Sequence, residues 1–189
     1  MRHSLIAALL LIGCTAKDDG DGDGTEAPAG IDGLYKVVTY STNASVAACE
    51  TGEAGEESSF GTAFFQLAAD AALEGENLAL YKCAFDDTCQ ETYLPAYLFT
   101  VFPDDVSATG SYIEAGKMTG AGCFAQFLDS TATLSGDTIT IQTIITVPNG
   151  LIAGANDDAC RESAAAYTGA KQCDSTTTLV GTRTTVGAE

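Results

Sequence analysis

The chain has 189 residues, with 26 acidic against 8 basic side chains and a formal net charge of −18. Such a surface is repelled by nucleic acid and by anionic lipid headgroups, which excludes both as electrostatic partners. There is one histidine, His3, and no tryptophan. Catalysis downstream of His3 must therefore do without an imidazole, which excludes Ser-His-Asp and Cys-His nucleophiles and histidine-zinc hydrolysis. In chain order, the first feature is a secretory signal peptide over residues 1–13: Arg2, then an unbroken apolar run from Leu5 to Ile12, then the small residue Gly13. The run is eight residues long, against roughly 18 to 20 needed to cross a bilayer as a helix. No later segment approaches that length, and no transmembrane helix is expected.

Leu11-Ile12-Gly13-Cys14 resembles the lipobox of bacterial lipoproteins. The resemblance implies cleavage before Cys14 and a diacylglyceryl group on its sulfur, with Cys14 as the mature N-terminus. Each buried lipid methylene contributes about 0.8 kcal/mol, so two or three acyl chains anchor stably. Attachment is expected to rest on those chains, because loss of Arg2 leaves 26 acidic against 7 basic residues and no basic patch.

Residues 14–30 comprise the lipidated cysteine and a tether, TAKDDGDGDGTEAPAG, too poor in large apolar side chains to fold. As a random coil it sets the next domain roughly 20 to 25 Å from the membrane. Asp19, Asp21, Asp23 and Gly24 match the opening of an EF-hand loop. The position that should carry the bidentate glutamate is Gly30, and no helices flank it, so no metal site is expected. Lys17-Asp18-Asp19 resembles the acidic surface-export signals of some bacterial lipoproteins.

Residues 31–189 are read as one β-rich, disulfide-stapled domain. Strands are predicted over Leu34–Thr42, Thr62–Ala69, Asn77–Phe85, Tyr93–Phe102, Lys117–Leu128 and Thr176–Thr184, with a turn at Glu74-Gly75-Glu76-Asn77. Pro95 marks an edge or a strand start. The clearest signal is Thr131–Val147, in which Ser135-Gly136-Asp137 separates two runs rich in β-branched residues. In its second arm Ile139, Ile141, Thr143, Ile145 and Val147 share one face, and Thr138, Thr140, Gln142 and Thr146 share the other. One helix is predicted over Asp157–Thr168, capped by Asn156 and Asp157, with Cys160, Ser163, Ala164 and Tyr167 as its inner stripe. Tyr167 is read there as core packing.

Six cysteines follow Cys14: Cys49, Cys83, Cys89, Cys123, Cys160 and Cys173. An even number in an exported chain predicts three disulfides, and sequence alone leaves their pairing among fifteen choices open. Cys83 with Cys89 and Cys160 with Cys173 are the local expectations, leaving Cys49 for Cys123. No C-x-x-C pair or paired-knuckle spacing points to redox or zinc chemistry.

About eight antiparallel strands with one late helix predict a single up-and-down barrel, with a two-sheet sandwich as the alternative. Gly33-Leu34-Tyr35 opening the first strand and Arg183 in the last resemble the lipocalin arrangement, with Tyr35 in place of the usual tryptophan. The resemblance implies that Arg183 covers the Tyr35 ring and closes one end of the barrel. The expected protein is a non-enzymatic, lipid-anchored component of the cell envelope, on a membrane that is expected to be the outer one, with no cofactor. It is expected either to bind an apolar or lipid-like ligand or to act as a structural or protein-interaction module. A carboxylate-dependent hydrolase is the remaining alternative, with Asp86-Asp87, Asp104-Asp105 and Asp157-Asp158 as its acid pairs.

Overall fold

A computed structural model describes residues 30–184, apart from 46, 48, 50–54, 70–76, 87 and 121. The predicted signal peptide, Cys14, the EF-hand-like aspartates and most of the predicted turn at Glu74–Asn77 lie outside the described residues. Within them the chain is mainly β, built from eleven antiparallel strands and one α-helix.

The strands are β1 (Gly33–Asn43), β2 (Glu56–Glu57), β3 (Phe64–Ala68), β4 (Leu78–Phe85), β5 (Thr88–Cys89), β6 (Leu98–Phe99), β7 (Val101–Asp104), β8 (Ser107–Lys117), β9 (Cys123–Ser135), β10 (Thr138–Pro148) and β11 (Lys171–Thr184). Helix α1 (Asp157–Ala165) precedes β11, and a 3-10 turn (Pro95–Tyr97) precedes β6. Hydrogen-bonded neighbours run β5-β4-β3-β1-β11-β10-β9-β8-β7, with β2 paired to β1 and β6 to β4. The path has two ends, so the sheet does not close into the expected eight-stranded barrel. The halves approach where β6 pairs Leu78 with Phe99 and Ala79 with Leu98, and where the Thr100 N–H donates to the Thr109 carbonyl. Beyond that point β8 has β9 along its whole length on one side and no continuing ladder on the other.

The hairpin of β9 and β10 follows its sequence pattern. Ser135 pairs with Thr138 across a two-residue loop in which Gly136 holds φ at 59°, a conformation that favours glycine. Ile139, Ile141 and Thr143 are buried while Thr138 and Thr140 face water. Two other regions differ from expectation. The run Tyr93–Phe102 is broken by the 3-10 turn into short pieces, since Pro95 offers no N–H to a ladder. The predicted strand Lys117–Leu128 instead contains the turn between β8 and β9, closed by the Met118 N–H on the Gly122 carbonyl. Strand β8 itself has a weak sequence signal because its inward positions are small. Gly110 must be so, because a Cβ there would lie 1.8 Å from the Leu98 carbonyl oxygen.

The main core fills the half of the sheet at which the described chain begins. Tyr35, Phe65, Leu67, Leu78, Leu80 and Phe99 are fully buried there, with Ile139, Ile141 and Leu179 on the facing strands. A second cluster lies between α1 and the outer face of β8 and β9, made by Ala115, Ala125, Phe127, Ile152, Cys160 and Ala164. Asn156 caps α1 by accepting from the Ala159 N–H at 2.9 Å, and Cys160 and Ala164 point at the sheet with Tyr167 packed alongside.

Candidate functional site

The entry to β1 is built around Tyr35 and Arg183, which are directly paired across β1 and β11. The Arg183 guanidinium carbon lies 5.5 Å from the Tyr35 ring centroid, and one of its amino groups donates to the Tyr35 hydroxyl at 2.9 Å. The same group donates to the Gly30 carbonyl and, at 3.3 Å, to the Asp32 carbonyl. Tyr35 in turn donates to the Ile31 carbonyl at 2.6 Å and stacks on Phe65 with centroids 5.3 Å apart. Gly30–Asp32 is thereby held across the end of the core, with Ile31 fully buried beneath it. Burial pushes the Tyr35 hydroxyl above its usual range, against the opposing pull of Arg183. Partial desolvation also raises the Asp32 carboxyl, again against Arg183 and the Gly33 N–H. These contacts fasten the chain entering β1 to β11.

The cysteines form three bridges: Cys49–Cys173, Cys83–Cys89 and Cys123–Cys160. The expected Cys83–Cys89 pair is present. The expected Cys160–Cys173 and Cys49–Cys123 pairs are corrected to Cys123–Cys160 and Cys49–Cys173. The reason is the seat of α1: it packs on the start of β9, where Cys123 also bridges Ile152, and so Cys160 meets β9 rather than the strand that follows it. Cys173 opens β11 beside the end of β1, where Asn43 pairs with Thr176, which puts it within reach of Cys49.

Among the described residues, Asp104, Asp157 and Asp158 are engaged by neighbours. Asp104 accepts from the Ser107 hydroxyl at 2.6 Å and the Val106 N–H at 3.0 Å, bonds that hold it below the usual carboxylate range and stabilise the β7–β8 turn. Asp157 accepts from the Lys117 N–H at 2.7 Å, and Asp158 pairs with Arg161 at 2.7 Å in the open. Asp86 sits on the turn between β4 and β5, and Asp87 lies outside the described residues. Among the described residues no three metal-ligating side chains converge, and no helix is long and apolar enough to cross a membrane.

A buried hydroxyl cluster went unread in the sequence. Tyr97, on the 3-10 turn, hydrogen-bonds with Thr177, Tyr40 and Thr143, and burial raises its hydroxyl to about 12. Thr143 and Ser130 hydroxyls lie 2.7 Å apart, and Ser130 also donates to the Ala96 carbonyl at 2.8 Å. The turn thus caps the apolar core with a polar layer. Its only sequence trace is Thr143 standing among isoleucines on the inward face of β10. Clefts among the described residues are open and polar-edged: about 560 Å³ beside Thr42–Ala44 and Gly55–Glu56, about 360 Å³ between β1 and Ser58–Ala63, and about 280 Å³ between β8 and the start of α1.

No family model, curated protein or solved structure matches the chain.

Proposed function

We propose that the chain is a bacterial lipoprotein, anchored at the cell envelope through acyl chains on Cys14, whose folded domain works through its outer surface. The observation that carries the surface reading is the filling of the core. Tyr35, Phe65, Leu78, Leu80 and Phe99 occupy the space a carried lipid would need, and the Tyr97 hydroxyl layer caps them. A sheet interior filled by its own large side chains is a packed core rather than a ligand chamber. The hydrogen bonds that engage Asp104 and Asp157 and the ion pair of Asp158 with Arg161 support the non-enzymatic reading. Anchoring rests on the order of Arg2, the Leu5–Ile12 run, Gly13 and Cys14.

The test is labelled fatty acid fed to bacteria producing the full-length protein, followed by native mass spectrometry of the detergent-extracted product. The expected result is acyl label on the wild type and none on Cys14→Ala, with a mass equal to the chain from Cys14, three disulfides and its covalent lipid. An unlabelled wild type overturns the anchor. A further, non-covalent lipid in stoichiometric amount overturns the surface reading.

A further inference from the structure

We propose that the outer edge of β8, from Ser111 to Ala115, accepts an extended, cationic segment of a partner protein as an additional strand. This gives the surface reading above a location and a partner class.

The argument begins with backbone polarity. In an antiparallel strand the N–H and C=O of one residue point to the same side, and the side alternates residue by residue. On β8 the Thr109 carbonyl accepts from Thr100, away from β9, and the Lys117 N–H donates to Asp157, also away from β9. The register with β9 runs without a shift from Ser107 to Lys117. Ser111, Ile113 and Ala115 therefore turn their backbone groups to the same side, away from β9, with Ala115 itself buried beneath α1. Neighbouring strand β7 reaches only Thr109, and among the described residues no backbone partner meets Ser111 or Ile113 on that side. The opposite end of the sheet differs. The outer side of β4 is occupied by β5, by the Gln90 N–H on the Lys82 carbonyl, by the Leu94 N–H on the Leu80 carbonyl, and by β6.

An open ladder is a template for strand addition unless a proline, a bulge or a cover blocks it. Edge strand β7 carries Pro103; Ser111–Ala115 carries no proline and no bulge. The slot beside it, about 280 Å³, is lined by Tyr112 and Phe124, 37% and 42% exposed, and by Glu114, Asp157 and Arg161. These rings offer alternate side chains of an incoming strand an apolar seat.

Charge selects the occupant. Glu114, Asp129, Asp157 and Asp158 border the edge, against Lys117 and Arg161. Both cations are engaged: Lys117 donates to the Gly154 carbonyl at 2.7 Å and Arg161 pairs with Asp158. The surplus is negative at this edge and over the chain, which favours a basic strand and opposes a second copy of the same acidic protein.

The probe is a labelled short peptide of alternating lysine and valine, with an alternating glutamate–valine peptide as control, titrated into the full mature protein. The expected result is binding of the basic peptide at least about tenfold tighter than the acidic one. It should weaken with salt and bring hydrogen-exchange protection to the Ser111 and Ile113 amides. Ile113→Pro removes an outward N–H without touching the bonds to β9 and is expected to abolish the binding. Glu114→Lys keeps the backbone intact and is expected to erase the preference for the basic peptide, which covers the case in which the proline variant does not fold. Equal affinity for both peptides, no binding of either, or protection elsewhere than at β8 overturns the proposal. So does a concentration-dependent dimer of the protein alone that Ile113→Pro dissolves, which would assign the edge to a second copy. None of these readouts depends on acylation of Cys14, so the anchor and the edge fail separately.

Discussion

The two halves of the sheet are held together in different ways. Around the entry of β1, large side chains make the structure: Ile31, Tyr35, Phe65, Leu78 and Phe99 interlock, and Arg183 ties Gly30–Asp32 across them. Toward the far ends of β8, β9 and β11 the buried cluster has fewer members, with Ala115, Ala125 and Ala164 beside Phe127 and Ile152, and the Cys123–Cys160 and Cys49–Cys173 bridges join the elements covalently. Two of the three bridges thus lie in the region with the smaller apolar cluster, while Cys83–Cys89 joins β4 to β5 in the half that holds the main core. A bridge restricts the unfolded chain, so it adds stability that does not depend on the area buried around it.

The comparison breaks most sharply at Phe65, which stacks on Tyr35 and touches Phe60 at 6.0 Å between centroids. Phe65→Ala is expected to destabilise the fold by about 3 to 5 kcal/mol, through lost transfer energy and a residual cavity. Chemical denaturation of the oxidised protein measures it. A loss below about 1 kcal/mol would mean that the entry half is not the main source of stability.

Next in size is the double variant Cys123→Ala with Cys160→Ala. The bridge closes a separation of 37 residues, for which the chain-entropy estimate is about 3 to 4 kcal/mol. Hydrogen exchange should show faster opening of α1 than of β3 or β4. Uniform loss of protection across both halves would erase the distinction between them.

The smallest effect lies at the boundary between the halves, in the Tyr97 hydroxyl layer. Burial raises the folded-state value to about 12, above the unfolded value of about 10. A raised value means that the folded state holds its proton more tightly than the unfolded one. The contribution is therefore fully present below pH 10 and is lost as pH rises toward 12, up to roughly 2 to 3 kcal/mol. Tyr97→Phe should flatten that alkaline limb in a stability-versus-pH series; an unchanged limb would remove Tyr97 as its source.

Much of this architecture is legible in local pattern. The alternation from Thr138 to Thr143 announces a half-buried strand, Ser135-Gly136-Asp137 its turn, and Asn156 the start of α1. These signals are readable because each residue answers to neighbours a few positions away. Gly33, Tyr35 and Arg183 stood out from a remote resemblance, and the contacts around them are now explicit. Strand β8 stayed hidden because small residues at Ala108, Gly110 and Ala115 give no periodic apolar signal. What makes Gly110 necessary is the backbone of Leu98, distant in sequence, and Ala115 lies under α1, which is equally remote.

The sequence by itself determined a mainly β chain with one late capped helix and six cysteines available for three bridges, because propensity, capping and turn chemistry are local. Only the tertiary structure decided that Cys160 meets Cys123, that Tyr97 caps the core, and that the sheet stops short of closure beside Ser111–Ala115. Each depends on where α1, the 3-10 turn and β6 pack against strands remote in the chain. Which long-range contacts pay back the entropy of closing their loops is settled by packing the whole chain at once.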